Sequence, residues 1–145
     1  MSKAEEAVTT FKKGCNCSQA VFSVFAGEFG LDEITALKIA SGFGGGIGHM
    51  GQTCGAVTGA ILVIGLKSGM SLEKTHESNQ KVYDIIGRLV DEFKKRNRSV
   101  ICWDLVGVDF GNAEAYREAR KRDVFYSVCP KFISDAVQIV EEIYR

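Results

Sequence analysis

Residues 41–66 read SGFGGGIGHMGQTCGAVTGAILVIGL and hold nine of the sixteen glycines and one of the five cysteines of the 145-residue chain. Glycine costs roughly 0.5–1 kcal/mol relative to alanine inside a regular element, so this density indicates left-handed backbone or close approach of chain segments. The glycines from Gly42 to Gly48 are too crowded for a helix and predict a loop. Gly51, Gly55 and Gly59 recur every four residues and predict one closely packed helical face.

Residues 46–51 also match the G-x-G-x-x-G pattern of dinucleotide-binding sites. That motif needs a strand directly before it, because the strand and the following helix together present the glycine turn to the pyrophosphate. Residues 37–43 instead follow a helical stretch. The sequence therefore disfavours nucleotide binding.

Composition and charge narrow the possible classes of protein. The chain is 46% hydrophobic and balances eighteen basic residues against eighteen acidic ones, so we expect one well-buried domain, residues 1–145, that does not bind nucleic acid. The longest apolar run, residues 60–66, is far shorter than the roughly 18 residues of a membrane span. The first residues carry acids where a signal peptide is basic and then apolar, and we expect a cytoplasmic protein.

Apolar residues recur with helical period along most of the chain. The pattern predicts an all-α, single-domain bundle of about six to eight helices around the glycine-rich apolar helix at about 53–66. Three other predicted helices cover residues 2–13, 32–41 and 113–122, and a short helical turn covers residues 99–105. One more helix runs from a cap at Asn16 or Ser18 to about residue 27, and another from a cap at Ser71 to about residue 95, with Glu73 and Lys74 on its outer face. The last helix runs from a cap at Cys129 to the C-terminus. The last start follows from Pro130, since proline favours the first helical position.

Four cysteines fall at or near predicted helix starts: Cys17, Cys54, Cys102 and Cys129. Free backbone N–H groups at a helix start lower a thiol pKa and stabilise thiolate, and four thiolates are the ligand set of an iron–sulfur cluster or of a tetrahedral zinc site. No C-x-x-C occurs, and the gaps of 37, 48 and 27 residues match no metal motif. Inert buried cysteines and thiol–disulfide chemistry stay open as alternatives.

The order of these motifs carries a resemblance to a known family. Asn16-Cys17-Ser18-Gln19-Ala20-Val21, the glycine loop, Cys54-Gly55-Ala56-x-x-Gly59 and the single downstream Cys102 and Cys129 resemble the C-GCAxxG-C-C family of redox-active proteins over about residues 10 to 140. The resemblance implies a small helical redox protein, mostly of anaerobic bacteria and archaea. A similar module of split-Soret cytochromes accompanies an iron–sulfur centre.

One position departs from the family pattern, because Gly55 stands directly before Ala56 where the family name has cysteine, and Cys54 comes one residue earlier. One residue is a rotation of about 100° on a helix, so Cys54 must project from a first turn that is not yet regular. Cys15 has no place in the pattern.

Taken together, these observations predict a redox protein that holds an iron–sulfur cluster on the same four cysteines, with zinc as the alternative metal. We expect the glycine loop to wrap this site, with Gly44, Gly45, Gly46 and His49 as cofactor-binding residues, and to leave one side open to a small ligand or to a redox partner protein. A homodimer is also possible. The helix dipole accounts for the basic residues 94–98 at the end of a predicted helix, with anion or partner binding as the alternative. The basic residues of the stretch 113–122 predict a solvated helix face.

Overall fold

The computed structural model describes residues 1–72 and 76–145, and helices account for the regular structure of these residues. The all-α prediction is confirmed: the described part of the chain contains eight α-helices and no β-strand, only an isolated antiparallel bridge between Thr53 and Ile101. The helices are α1 (Lys3–Lys12), α2 (Cys17–Ala26), α3 (Glu33–Ala40), α4 (Gly55–Ser68), α5 (His76–Asn97), α6 (Cys102–Val106), α7 (Ala113–Lys121) and α8 (Val124–Ile143).

Side-chain caps start four of these helices where the sequence predicts them. Ser2 with Glu5 and Asn16 with Gln19 form reciprocal capping boxes at α1 and α2. Asp32 accepts a hydrogen bond from the N–H of Thr35, and Asn112 caps α7 in the same way. The predicted outward residues Glu73 and Lys74 of the fifth helix lie outside the described residues, and Ser71 lies in a non-helical segment before them.

Helices α2 and α4 pack closely against each other at Gly59. A methyl group added at Gly59 would lie 2.8 Å from the carbonyl oxygen of Ser18 and 3.1 Å from Cβ of Val21, so only glycine permits this separation. Every residue from Gly55 to Ala60 is buried, whereas Leu66 near the end of α4 is 38% exposed. Gly55 and Gly59 of the predicted small-residue face therefore pack on α2. The prediction is wrong for Gly51, which lies before α4 with a left-handed φ of 69° and packs beside Phe110 and Trp103.

The start of α8 differs from the prediction. The helix begins at Val124 rather than at Cys129, so Cys129 is not a cap and Pro130 lies inside the helix. Proline within a helix costs about 3 kcal/mol, because it removes one hydrogen bond and its ring meets the preceding turn. Phe125 and Val128 pack against the core, and this burial, which the local sequence does not reveal, offsets the cost.

Residues at the basic end of α5 form polar contacts with α8. Arg96 forms an ion pair with Glu142 at 3.0 Å and lies 3.9 Å from Asp135, both on α8, while Lys131 donates to Asn97 at 2.6 Å. These contacts account for part of the basic run at residues 94–98. Among residues 1–72 and 76–145, no helix has the length and apolar character needed to cross a membrane.

Candidate functional site

The four predicted ligand cysteines line one cavity of about 300 Å³. They reach it from four different helices or helix caps and are separated by up to 112 residues in sequence. Three are almost fully buried, with exposed fractions of 3% for Cys54, 8% for Cys102 and 4% for Cys129. All four are free thiols, and so is the half-buried Cys15, which does not line the cavity. The tertiary fold thus assembles the predicted set and leaves the fifth cysteine out.

Cys17 and Cys54 meet where α2 and α4 begin side by side. Cys17 is the first residue of α2, and a methyl group added at Gly55 would lie 3.0 Å from Cβ of Cys17. Cys54 is the cap of α4, with φ −52° and ψ 134°, and therefore lies outside the regular helix. This extended conformation is what allows Cys54 to reach the cavity although it is one residue earlier than the family pattern has it.

A two-residue antiparallel bridge brings Cys102 to Cys54. The N–H of Cys54 donates to the carbonyl of Val100 at 2.7 Å, and the N–H of Cys102 donates to the carbonyl of Gln52 at 2.6 Å. Both bonds flank the pairing of Thr53 with Ile101. Because these bonds involve the backbone N–H groups of the cysteines themselves, they fix the backbone positions from which the two side chains project.

Cys129 completes the group from the second turn of α8, and the hydrogen-bonding interaction of its thiol with that of Cys17 raises the pKa of Cys17. The prediction that all four cysteines sit at helix starts is therefore wrong for Cys129. It is correct for Cys17 and Cys102, the first residues of α2 and α6, and for Cys54 at the cap of α4.

The thiols are harder to ionise than the sequence indicates. The hydrogen bond with Cys129, and then burial, hold the pKa of Cys17 well above its ordinary value. Burial and the neighbouring Cys17 raise the pKa of Cys54 to about 12, although the N–H groups of Ala56 and Val57 lower it. Burial also raises the pKa of Cys102 to about 12. The backbone N–H groups at the start of α4 therefore lower the pKa of Cys54 as expected, but burial raises it by more.

The glycine loop takes a left-handed path beside the cysteines. Five consecutive residues, 45–49, have φ between 57° and 71°, and two of them, Ile47 and His49, are not glycine. A left-handed backbone costs an ordinary residue roughly 1–2 kcal/mol. The loop is held by its own hydrogen bonds, among them Gly48 N–H to the Gly42 carbonyl at 2.8 Å and Gln52 N–H to the Gly46 carbonyl at 2.9 Å.

The four predicted cofactor-binding residues of this loop fall into two pairs. Gly45 and His49 line the cavity. Gly44 and Gly46 are buried and support it: a methyl group at Gly44 would lie 2.5 Å from the Asn16 side chain, and one at Gly46 would lie 2.8 Å from Cβ of Cys102. Glycine is required at these two positions because the loop backbone packs directly on residues that hold the cysteines.

Sequence reasoning missed the aromatic part of the cavity. Phe110, Tyr116 and Phe125 line it together with His49, and Arg120, which is exposed as predicted, lines it too. The only local signal is that Arg120 follows Tyr116 by four residues on one helix, which places the two side chains together. The other contacts join two loops, α7 and α8, and no sequence pattern links them.

The chain matches the family model described as "Putative redox-active protein (C_GCAxxG_C_C)" over residues 15–143. It belongs to this family. The matched region contains all five cysteines and runs to the end of α8. Comparison with curated proteins and comparison with solved structures each gave no match.

The cysteines of this redox-active family member do not converge on a single ion. Within residues 1–72 and 76–145, no group of three or more histidine, cysteine or acidic side chains is arranged to hold one metal ion. A tetrahedral zinc site would need its four sulfurs about 2.3 Å from one point. Four cysteine thiols lining one cavity are the donor type of an iron–sulfur cluster as well as of zinc.

Proposed function

We propose that this protein transfers electrons through an iron–sulfur cluster held by Cys17, Cys54, Cys102 and Cys129. The observation that carries the proposal is that four cysteines, distant in sequence, line one cavity while Cys15 does not. Four cysteine thiolates are the ligand set of both [2Fe–2S] and [4Fe–4S] clusters. When bound, the cluster supplies a one-electron store, and the protein holds it in a buried, mostly apolar surrounding.

The electrostatics of the cavity support a cationic occupant. Buried thiols with raised pKa values carry no charge at neutral pH, so together they form a neutral site. Removing their protons without a bound cation would be unfavourable. The four cysteines would hold the cluster as thiolates, because a coordinating thiol is deprotonated outright, and the positive charge of the iron would offset the repulsion among them. The N–H groups of Ala56 and Val57 then favour the thiolate of Cys54.

Thiol–disulfide exchange is a second candidate, and the interaction between the Cys17 and Cys129 thiols favours it. Attack on a disulfide needs an accessible thiolate with a low pKa. The burial of Cys129 and the raised pKa of Cys17 argue against that role, so electron transfer through a cluster remains the preferred proposal.

Anaerobic purification followed by iron and sulfide analysis and visible spectroscopy tests the proposal. We expect sulfur-to-iron charge-transfer absorption with near-stoichiometric iron and sulfide, and loss of most of the iron when any one of the four cysteines is replaced by serine. Cys15→Ser is the matched control and keeps its iron. Absence of the absorption after reconstitution with iron and sulfide, or equal loss in Cys15→Ser, would refute the cluster.

A further inference from the structure

The cavity has an outer part that the cluster ligands leave unused. Four rings meet there: His49 lies 5.3 Å from Tyr116 and 6.0 Å from Phe110, and Phe125 lies 5.7 Å from Tyr116, between ring centroids. These rings are exposed or half-buried, whereas three of the four cysteines are buried. The cysteines therefore form the floor of the cavity, and the four rings form its aromatic entrance.

Arg120 adds one positive charge to this aromatic entrance. Its guanidinium carbon lies 5.9 Å from the centre of the Tyr116 ring, and its Nη1 donates to the Tyr116 hydroxyl at 3.4 Å. Arg122, two residues later, is paired with Glu118 at 3.2 Å, but in the described ranges Arg120 has no carboxylate within 4 Å. Stacking on the ring leaves several N–H donors of the guanidinium available to an anion.

We propose that the aromatic entrance binds a small planar aromatic molecule that carries one anionic group. Exposed aromatic faces offer stacking, and Arg120 offers a charge-assisted hydrogen bond. Asp123 also lines the cavity and disfavours a ligand with several negative charges. The site goes beyond the proposed function: it contains none of the four proposed cysteine ligands and shares only His49 with the predicted cofactor-binding residues.

Calorimetric titration of the anaerobically purified full chain with naphthalene-2-sulfonate tests this site. We expect saturable one-to-one binding, weakened about tenfold by Arg120→Gln and by Tyr116→Leu. Arg117→Gln is the matched control, because Arg117 is on the same helix, is exposed and does not line the cavity. We expect its affinity to stay within twofold of the wild type.

The uncharged analogue naphthalene-2-methanol separates the two contributions. We expect Arg120→Gln to change its affinity less than twofold, whereas Tyr116→Leu weakens it. Failure of naphthalene-2-sulfonate to bind saturably, or equal weakening by Arg117→Gln and Arg120→Gln, would overturn the proposal. Iron content of the same samples keeps the two proposals separate: retained iron without binding contradicts only the aromatic entrance, and binding without iron contradicts only the cluster.

Discussion

Gly46 and Gly48 have similar left-handed backbones, with φ of 71° and 57°, but different surroundings. A methyl group at Gly48 would meet nothing within 4 Å, whereas one at Gly46 would lie 2.5 Å from the Gln52 nitrogen and 2.8 Å from Cβ of Cys102. We expect Gly48→Ala to cost about 1 kcal/mol of unfolding free energy through backbone strain alone. Gly46→Ala adds overpacking of about 1–3 kcal/mol.

Urea unfolding of the two variants measures this difference, and iron content of the same samples measures its effect on the site. We expect Gly46→Ala to lose more iron than Gly48→Ala, since it displaces the segment that carries Cys102. Equal unfolding midpoints would contradict the close approach of the loop to Cys102.

Ser18 is a second residue whose contribution can be predicted. Its side chain is fully buried, and its hydroxyl has no hydrogen-bond partner in the described part of the chain. An unpaired buried hydroxyl costs about 1–3 kcal/mol, so Ser18→Ala should leave the protein as stable as the wild type or make it more stable. Thermal unfolding checks this, and a loss of more than about 1 kcal/mol would show that the hydroxyl has a partner.

At the scale of the elements, the contact between α2 and α4 positions two of the four cysteines. Gly59 is central to it, because an added methyl group would lie 2.8 Å from the Ser18 carbonyl oxygen. We expect Gly59→Ala to lower the unfolding free energy by about 1–3 kcal/mol. Gly65 lies on the same helix with nothing within 4 Å of its added methyl, and Gly65→Ala should raise stability by roughly 0.5–1 kcal/mol through helix propensity.

Chemical denaturation of both alanine variants measures the pair. The same substitution should change the unfolding free energy in opposite directions at the two positions, which separates the effect of packing from that of helix propensity. Destabilisation of similar size at both positions would contradict the assignment of Gly59 to a close contact.

At the scale of the whole molecule, the buried thiols predict how stability depends on pH. Unfolded cysteines ionise near pH 8.5, whereas burial raises the pKa of Cys54 and Cys102 to about 12 in the folded protein. The unfolded state therefore releases protons first, and stability falls as pH rises above about 8.5. Each thiol contributes a loss of up to about 1.4 kcal/mol per pH unit until its folded pKa is reached.

Urea unfolding of cluster-free protein between pH 7 and pH 10 tests this dependence. We expect little change below pH 8 from these thiols and a decline above it that is smaller in a Cys54→Ser and Cys102→Ser double variant. A decline of equal slope in both proteins would assign it to other groups.

The helices and most of their boundaries could be predicted from local sequence. Capping boxes such as that of Asn16 and Gln19, and the period of apolar residues, depend only on residues close together in the chain. The sequence also identified Cys17, Cys54, Cys102 and Cys129 through the order of the family motifs. The continuation of α8 through Pro130 depends on tertiary contacts. The burial of Phe125 and Val128, which offsets the free-energy cost of a proline inside a helix, comes from packing against the core. Tertiary structure also raised the thiol pKa values and assembled the aromatic entrance. Burial and contacts between distant segments are properties of the packed chain, and no local pattern around Cys54 or Tyr116 encodes them.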